Sequence, residues 1–151
     1  MKNKIYILPI IFLFLISFAN SEEYTGTLFK TLGKFSIQNV YLSFLYVSSI
    51  EYKIERSDDK ENEVKLLNSV QKLAKSSIES LKQFEKNDQL SDNDAKIISK
   101  IIDANQLLLD EIDFLSDLIE KNQSGILGKV NSKHKKTWNS IKELLEQKIN
   151  K

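Results

Sequence analysis

Apolar residues between positions 92 and 122 recur at alternating steps of three and four, and this spacing constrains the fold more than any other feature of the sequence. Residues spaced in this way lie along one side of an α-helix. Ser91 precedes Asp92 and Asp94, as at a capped helix start with acidic residues in its first turn. The pattern therefore predicts a helix over about 92–122. We call the stripe of residues at this spacing the seam of the helix. It consists of Ile98, Ile101, Asn105, Leu108, Ile112, Leu115 and Ile119, with Asn105 as the one polar member.

Two further segments, about 59–86 and about 130–149, carry similar patterns and are also predicted to be helices. Ser132 is a candidate N-cap for the later one. The earlier stripe is broad, which suits the core of a bundle better than a two-stranded coiled coil. The earlier stripe comprises Leu67, Val70, Ala74, Ser77, Leu81 and Phe84, widened by Val64, Leu66, Leu73 and Ile78. The later face comprises Val130, His134, Trp138, Ile141, Leu145 and Ile149.

The segment from Phe35 to Ile50 contains no charged residue and is apolar on several sides. It is predicted to lie in a helix over about 27–55, although its aromatic and β-branched residues leave strand as an alternative for part of it. Such a helix is either central to its own bundle or presents an outward apolar surface to a partner or a second copy. One face carries Ile37, Val40, Phe44 and Val47. The candidate partner contacts are Tyr41, Leu42, Leu45 and Tyr46.

Glycine and proline are scarce, with 4 Gly and 1 Pro in 151 residues. An all-β domain needs more of them for its many tight turns, so the composition favours a few long helices. Short polar connections between long helices place neighbours antiparallel. The sequence therefore predicts an all-α, antiparallel up-down four-helix bundle.

The first twenty residues have the organisation of a secretory signal. Lys2 and Lys4 precede an uncharged run from Ile5 to Phe18, and Ala19 supplies a small residue for cleavage before Asn20. This predicts a cleavable signal peptide over 1–19 and a mature domain over 20–151, with an uncleaved membrane anchor as the alternative. The apolar run is short for a stable membrane span. An exported domain without cysteine fits the bacterial periplasm or cell surface better than eukaryotic secretion.

Charge and residue usage exclude several functional classes. The 22 basic and 21 acidic residues nearly balance, which argues against a nucleic-acid-binding protein. The absence of cysteine and the single histidine exclude thiolate metal sites and zinc sites that need two imidazoles. No phosphate loop, nucleophile elbow or metalloprotease motif is present. We therefore expect a non-enzyme without cofactor or metal.

The remaining polar groups are expected to be structural. His134 is predicted to lie at the rim of the bundle rather than to ligate haem, since the mature chain offers neither Met nor Cys. Asn105 is predicted either to pair with Ser77 or to face a wet gap. A carboxylate row on the third helix is expected to be a solvated face rather than a calcium site: Asp103, Asp110, Asp113, Asp117 and Glu120. A lysine cluster is expected to be solvated, with contact to an anionic partner as the alternative: Lys129, Lys133, Lys135 and Lys136.

Two functional hypotheses follow from these patterns. The first is an exported, non-catalytic bundle that binds a macromolecule, either another protein or a component of the cell envelope, with self-association as an option. The alternative is a carrier whose small apolar ligand lies between the helices. Its expected lining is Phe35, Tyr41, Phe44 and Trp138. An enzyme is the third class and would need a buried carboxylate in a cleft.

Overall fold

The computed structural model describes residues 22–149 except 55–58, 87–89 and 122–125. The predicted signal peptide and its cleavage site between Ala19 and Asn20 lie outside the described residues. The described part of the chain consists of four helices and contains no strand. They are α1 (Glu22–Ile54), α2 (Lys60–Glu85), α3 (Asp92–Glu120) and α4 (Ile126–Ile149). Within these residues no helix combines the length and the apolarity that crossing a membrane would require.

The third helix lies at the centre of the packing. It contacts α2 along one side and α4 along another. Ile101, Leu108, Ile112 and Leu115 have no exposed surface, and every predicted seam position of α3 is buried. The all-helical prediction is confirmed for the described residues, and so is the period on which it was based.

Contacts along the chain define two units, residues 1–32 and residues 33–151. The second unit includes α1 from Gly33 onward. The predicted inner face of α1 is buried, and the helix is continuous over the stretch for which strand was an alternative. Its buried apolar residues are Ile37, Val40, Phe44, Val47, Ile50 and Ile54, which share one core with α2, α3 and α4.

The buried faces of α2 and α4 are turned slightly from their predicted positions. In α2, Ile78 is buried, whereas Leu73 is 53% exposed. In α4, Thr137 is buried and Trp138 is 36% exposed. The Thr137 hydroxyl can enter the core because its single hydrogen has two backbone carbonyls within reach, Lys133 O at 3.1 Å and Leu107 O at 3.4 Å. With a hydrogen-bond acceptor for its hydroxyl, Thr137 takes the buried position that the sequence pattern assigned to Trp138.

Side-chain caps fix the starts of two helices. The Ser91 Oγ accepts a hydrogen bond from the Asp94 amide at 3.1 Å, as the capping pattern predicts, and α3 begins at Asp92. Asp59 Oδ1 accepts from the Asn62 amide at 3.1 Å at the start of α2. The last helix begins at Ile126, so that Ser132 lies within α4 and does not cap it.

Candidate functional site: two buried glutamates around one histidine

Three ionisable side chains from three different helices meet inside the bundle. Glu51 lies in the last turn of α1, Glu111 in the second half of α3, and His134 in the first half of α4. The Nδ1 atom of His134 lies 2.9 Å from Glu111 Oε1 and 3.1 Å from Glu51 Oε2. We refer to these three residues as the Glu–His–Glu cluster.

The cluster is buried at its centre and open at one edge. The side chain of Glu111 has 0% exposure and that of Glu51 has 11%, whereas the His134 side chain is 27% exposed. Burial of a carboxylate is costly unless charge partners and hydrogen bonds replace its water. His134 is therefore the member of the cluster with the most contact with solvent.

The carboxylate oxygens of the cluster can accept more hydrogen bonds than the donors within the cluster can supply. Both carboxylates approach the same nitrogen of His134, so a single N–H group serves two acceptors. The second oxygen of Glu111, Oε2, is fully buried and has no hydrogen-bond partner among the described residues. An unsatisfied buried acceptor costs about 1–3 kcal/mol, and more when it is charged. The arrangement is therefore incomplete as a purely structural network.

Burial also changes the protonation of the cluster. Removal from water is the main cause that raises the pKa of Glu51 above its ordinary value. The nearby His134 lowers that pKa, and the negative charge of Glu111 raises it. Since the pKa of Glu51 is raised on balance, the site resists holding two ionised carboxylates at once.

An aromatic group forms the wall beside the imidazole. The Phe44 ring centroid lies 4.6 Å from that of His134 and 5.6 Å from that of Trp138. Tyr41 continues the group, with its centroid 6.3 Å from the indole of Trp138. Such tilted and stacked pairs hold rings in a fixed orientation. The wall packs against the imidazole, whose Nδ1 faces the two carboxylates.

A second feature is the face of α1 that points away from the core. Leu42 is 60% exposed, Leu45 44% and Tyr46 47%, whereas Tyr41 is half-buried beside Trp138. Three of the four candidate contact residues therefore lie outside, and the fourth belongs to the aromatic wall. Exposed positions on this face recur at alternating steps of three and four, and we call them the outer seam: Phe35, Gln38, Leu42, Leu45, Ser49 and Tyr52.

The charged groups singled out in the sequence lie on the surface. All five carboxylates of the α3 row are exposed, which confirms the solvated face. In the lysine cluster, Lys135 and Lys136 are exposed, and Lys133 Nζ lies 5.3 Å from the ring centroid of Phe114. The side chain of Lys129 lies outside the described residues. None of these lysines belongs to the Glu–His–Glu cluster.

Asn105 is buried within the seam of α3. Its Nδ2 donates to the Ile101 carbonyl of its own helix at 2.9 Å, rather than to Ser77. With 2% exposure, it does not face a wet gap either. Both interpretations drawn from the sequence are wrong for this residue, because a bond within the helix satisfies the amide nitrogen.

The sequence interpretation missed the cluster because it found no sign of a buried carboxylate. Glu111 is completely buried, and His134 faces two acids instead of lying at a solvated rim. A signal was present, since Glu111 stands three residues after Leu108 and four before Leu115, both core positions. Glu51 stands four residues after Val47 and three before Ile54, both core positions of α1. An acidic residue at such a spacing can be predicted to be buried only when its charge partner on another helix is known.

The four residues expected to line a ligand cavity do not share one interior space. Phe44 is buried on the inner face of α1, whereas Phe35 is 63% exposed in the outer seam. Tyr41 and Trp138 join Phe44 in the aromatic wall. The structure thus brings three of the four together and separates Phe35 from them.

In comparisons with known proteins, no family model, no curated protein and no solved structure matches this chain.

Proposed function

We propose that this chain is an exported, non-catalytic helical bundle that binds a helix of another protein along the outer seam of α1. The observation that carries the proposal is an exposed apolar face with helix-pairing periodicity. The expected export to the bacterial periplasm or cell surface belongs to the same proposal and is supported by the sequence of residues 1–20.

The spacing of the outer seam favours a helical partner over other occupants. Alternating steps of three and four are the pattern by which two helices interlock side chains along a shared axis. In this structure α1 already buries such a pattern on its inner face, and the outer seam repeats it on the opposite face. The predominance of exposed Leu, Phe and Tyr residues supports contact, because such faces are costly to leave in water and usually mark partner sites.

The distribution of charged residues along α1 limits further the kinds of partner that the outer seam can bind. From Phe35 to Ile50 the helix has no charged residue, so this stretch offers no attraction to phosphate groups or anionic lipid headgroups, and the exposed Lys34 and Lys53 lie only at the two ends of the outer seam. The partner surface that complements the outer seam is therefore an apolar helix face that carries no charge. A second copy of this chain would satisfy the same requirement, and the experiment below separates the two.

The finer topology is also part of the proposal. Antiparallel, up-down packing of α1 to α4 is supported by the short connections, such as the one between Glu85 and Asp92. The non-catalytic assignment is supported by the absence of recognisable nucleophile and phosphate-binding motifs from the sequence.

Leu42→Lys tests this proposal, with Leu73→Lys as its matched control. Both leucines are more than half exposed, at 60% and 53%, but Leu73 lies on α2 outside the outer seam. We expect both variants to keep the stability of the wild type within about 0.5 kcal/mol, because surface substitutions rarely cost more. Leu42→Lys should weaken partner binding about tenfold or more, since it places a charge at the centre of an apolar contact.

Binding is measured by recovery of the partner from the native cell envelope, together with sedimentation analysis of the purified protein. Loss of a co-purifying protein in Leu42→Lys but not in Leu73→Lys supports the proposal. A wild-type dimer that only Leu42→Lys dissociates would make a second copy the occupant in place of another protein. Equal behaviour of the two variants would refute the outer seam as a binding surface.

A further inference from the structure

We propose that the Glu–His–Glu cluster is a binding site for one divalent transition-metal ion, with Zn²⁺ as the representative ion. Glu51, Glu111 and His134 each offer one ligand atom, and these atoms lie within 4.8 Å of one another. The site would take its ligands from three helices of the bundle. It is independent of the partner proposed for the outer seam, because Glu51 lies on the opposite, buried face of α1.

The spacing of the ligand atoms suits a single ion. Two ligands about 2.1 Å from one metal lie about 3.0 Å apart at a right angle and about 3.4 Å apart at a tetrahedral angle. The two distances from His134 Nδ1 to the carboxylate oxygens are 2.9 and 3.1 Å. These two distances match those between ligands of one ion, and the oxygens of Glu51 and Glu111 lie within the 4.8 Å that bounds the whole set.

The unpartnered oxygen of Glu111 points independently to a missing ligand. Its Oε2 is fully buried without a hydrogen bond among the described residues, and a cation bound by this carboxylate would satisfy it.

The donor set selects the class of metal. One imidazole nitrogen with two carboxylates is a borderline set of the kind that Zn²⁺ and other late first-row ions prefer. Ca²⁺ and Mg²⁺ prefer all-oxygen surroundings, and Ca²⁺ needs six or more ligands. With three protein ligands, the remaining coordination positions would hold water, which the exposed edge of His134 admits.

Zinc binding should stabilise the fold, because the unfolded chain does not hold the three ligands together. The test uses untagged protein expressed from the full-length sequence, freed of metal with a chelator and then titrated with Zn²⁺ by calorimetry. We expect one Zn²⁺ per chain and a melting temperature higher by about 5 °C or more at a hundredfold excess over the dissociation constant. The same concentration of Mg²⁺ should leave the melting temperature unchanged.

Glu111→Gln and His134→Gln each remove one ligand and should weaken Zn²⁺ binding about 100-fold or more. Glu120→Gln is the matched control, since it removes an exposed carboxylate from the same helix and should bind as the wild type does. If Glu111→Gln fails to fold, Glu51→Gln decides in its place, because its side chain is nearer the surface. Absence of Zn²⁺ binding to the wild type, or equal binding by the ligand variants and the control, would overturn the site.

Discussion

Leu108→Ala is expected to lower the free energy of unfolding by about 2–5 kcal/mol. Leu108 has no exposed surface and lies at the middle of α3, which packs against both α2 and α4. Truncation removes the transfer free energy of the side chain and leaves a cavity that the surrounding helices close only in part. Chemical denaturation followed by circular dichroism measures the change.

Asp110→Ala is the control for this prediction. Asp110 lies two positions along the same helix on the solvated face, so its loss should change stability by no more than about 0.5 kcal/mol. Similar losses in the two variants would show that the assigned faces of α3 are incorrect.

His134→Leu is expected to cost about 3 kcal/mol at pH 7 in metal-free buffer. The leucine keeps an apolar contact for Phe44 but removes the nitrogen that serves both Glu111 and Glu51. Two carboxylates are then left buried without the imidazole, which is more costly than their original burial. Denaturant melts of the purified protein give the free-energy difference.

A second substitution separates electrostatics from packing. Glu111→Leu in the His134→Leu background removes the fully buried carboxylate, and we expect most of the lost stability to return. Lys135→Leu, at an exposed neighbour of His134, should have little effect alone. If the two substitutions in the cluster simply added their costs, the loss assigned to carboxylates buried without the imidazole would be wrong.

The helical fold could be predicted because apolar periodicity and capping are local properties of the sequence. The seam of α3 and the Ser91 cap are examples, and both are present in the structure. The buried face of α4 was less predictable, since Thr137 and Trp138 are adjacent and their order of burial depends on a carbonyl of α3. Hydrogen bonds between helices of this kind have no local sequence signal.

The Glu–His–Glu cluster could not be predicted for the same reason. Each member is an ordinary polar residue at a core spacing of its own helix, and only the packing of α1, α3 and α4 brings them together. The sequence did single out Leu42, Leu45 and Tyr46, because an uncharged helix surface is visible in one segment. Whether that surface faced inward or outward depended on the packing, and the structure places these three residues outside.

Photo-crosslinking from position 45 in the native cell detects a partner that contacts the outer seam. A photoreactive residue replaces Leu45 in one variant and the exposed Leu73 of α2 in another. We expect one discrete adduct from position 45 that is absent from position 73 and disappears when Leu42→Lys is added. An adduct of twice the chain mass would identify a second copy as the partner. Equal adducts from both positions, or none from position 45, would show that the outer seam is not a binding surface.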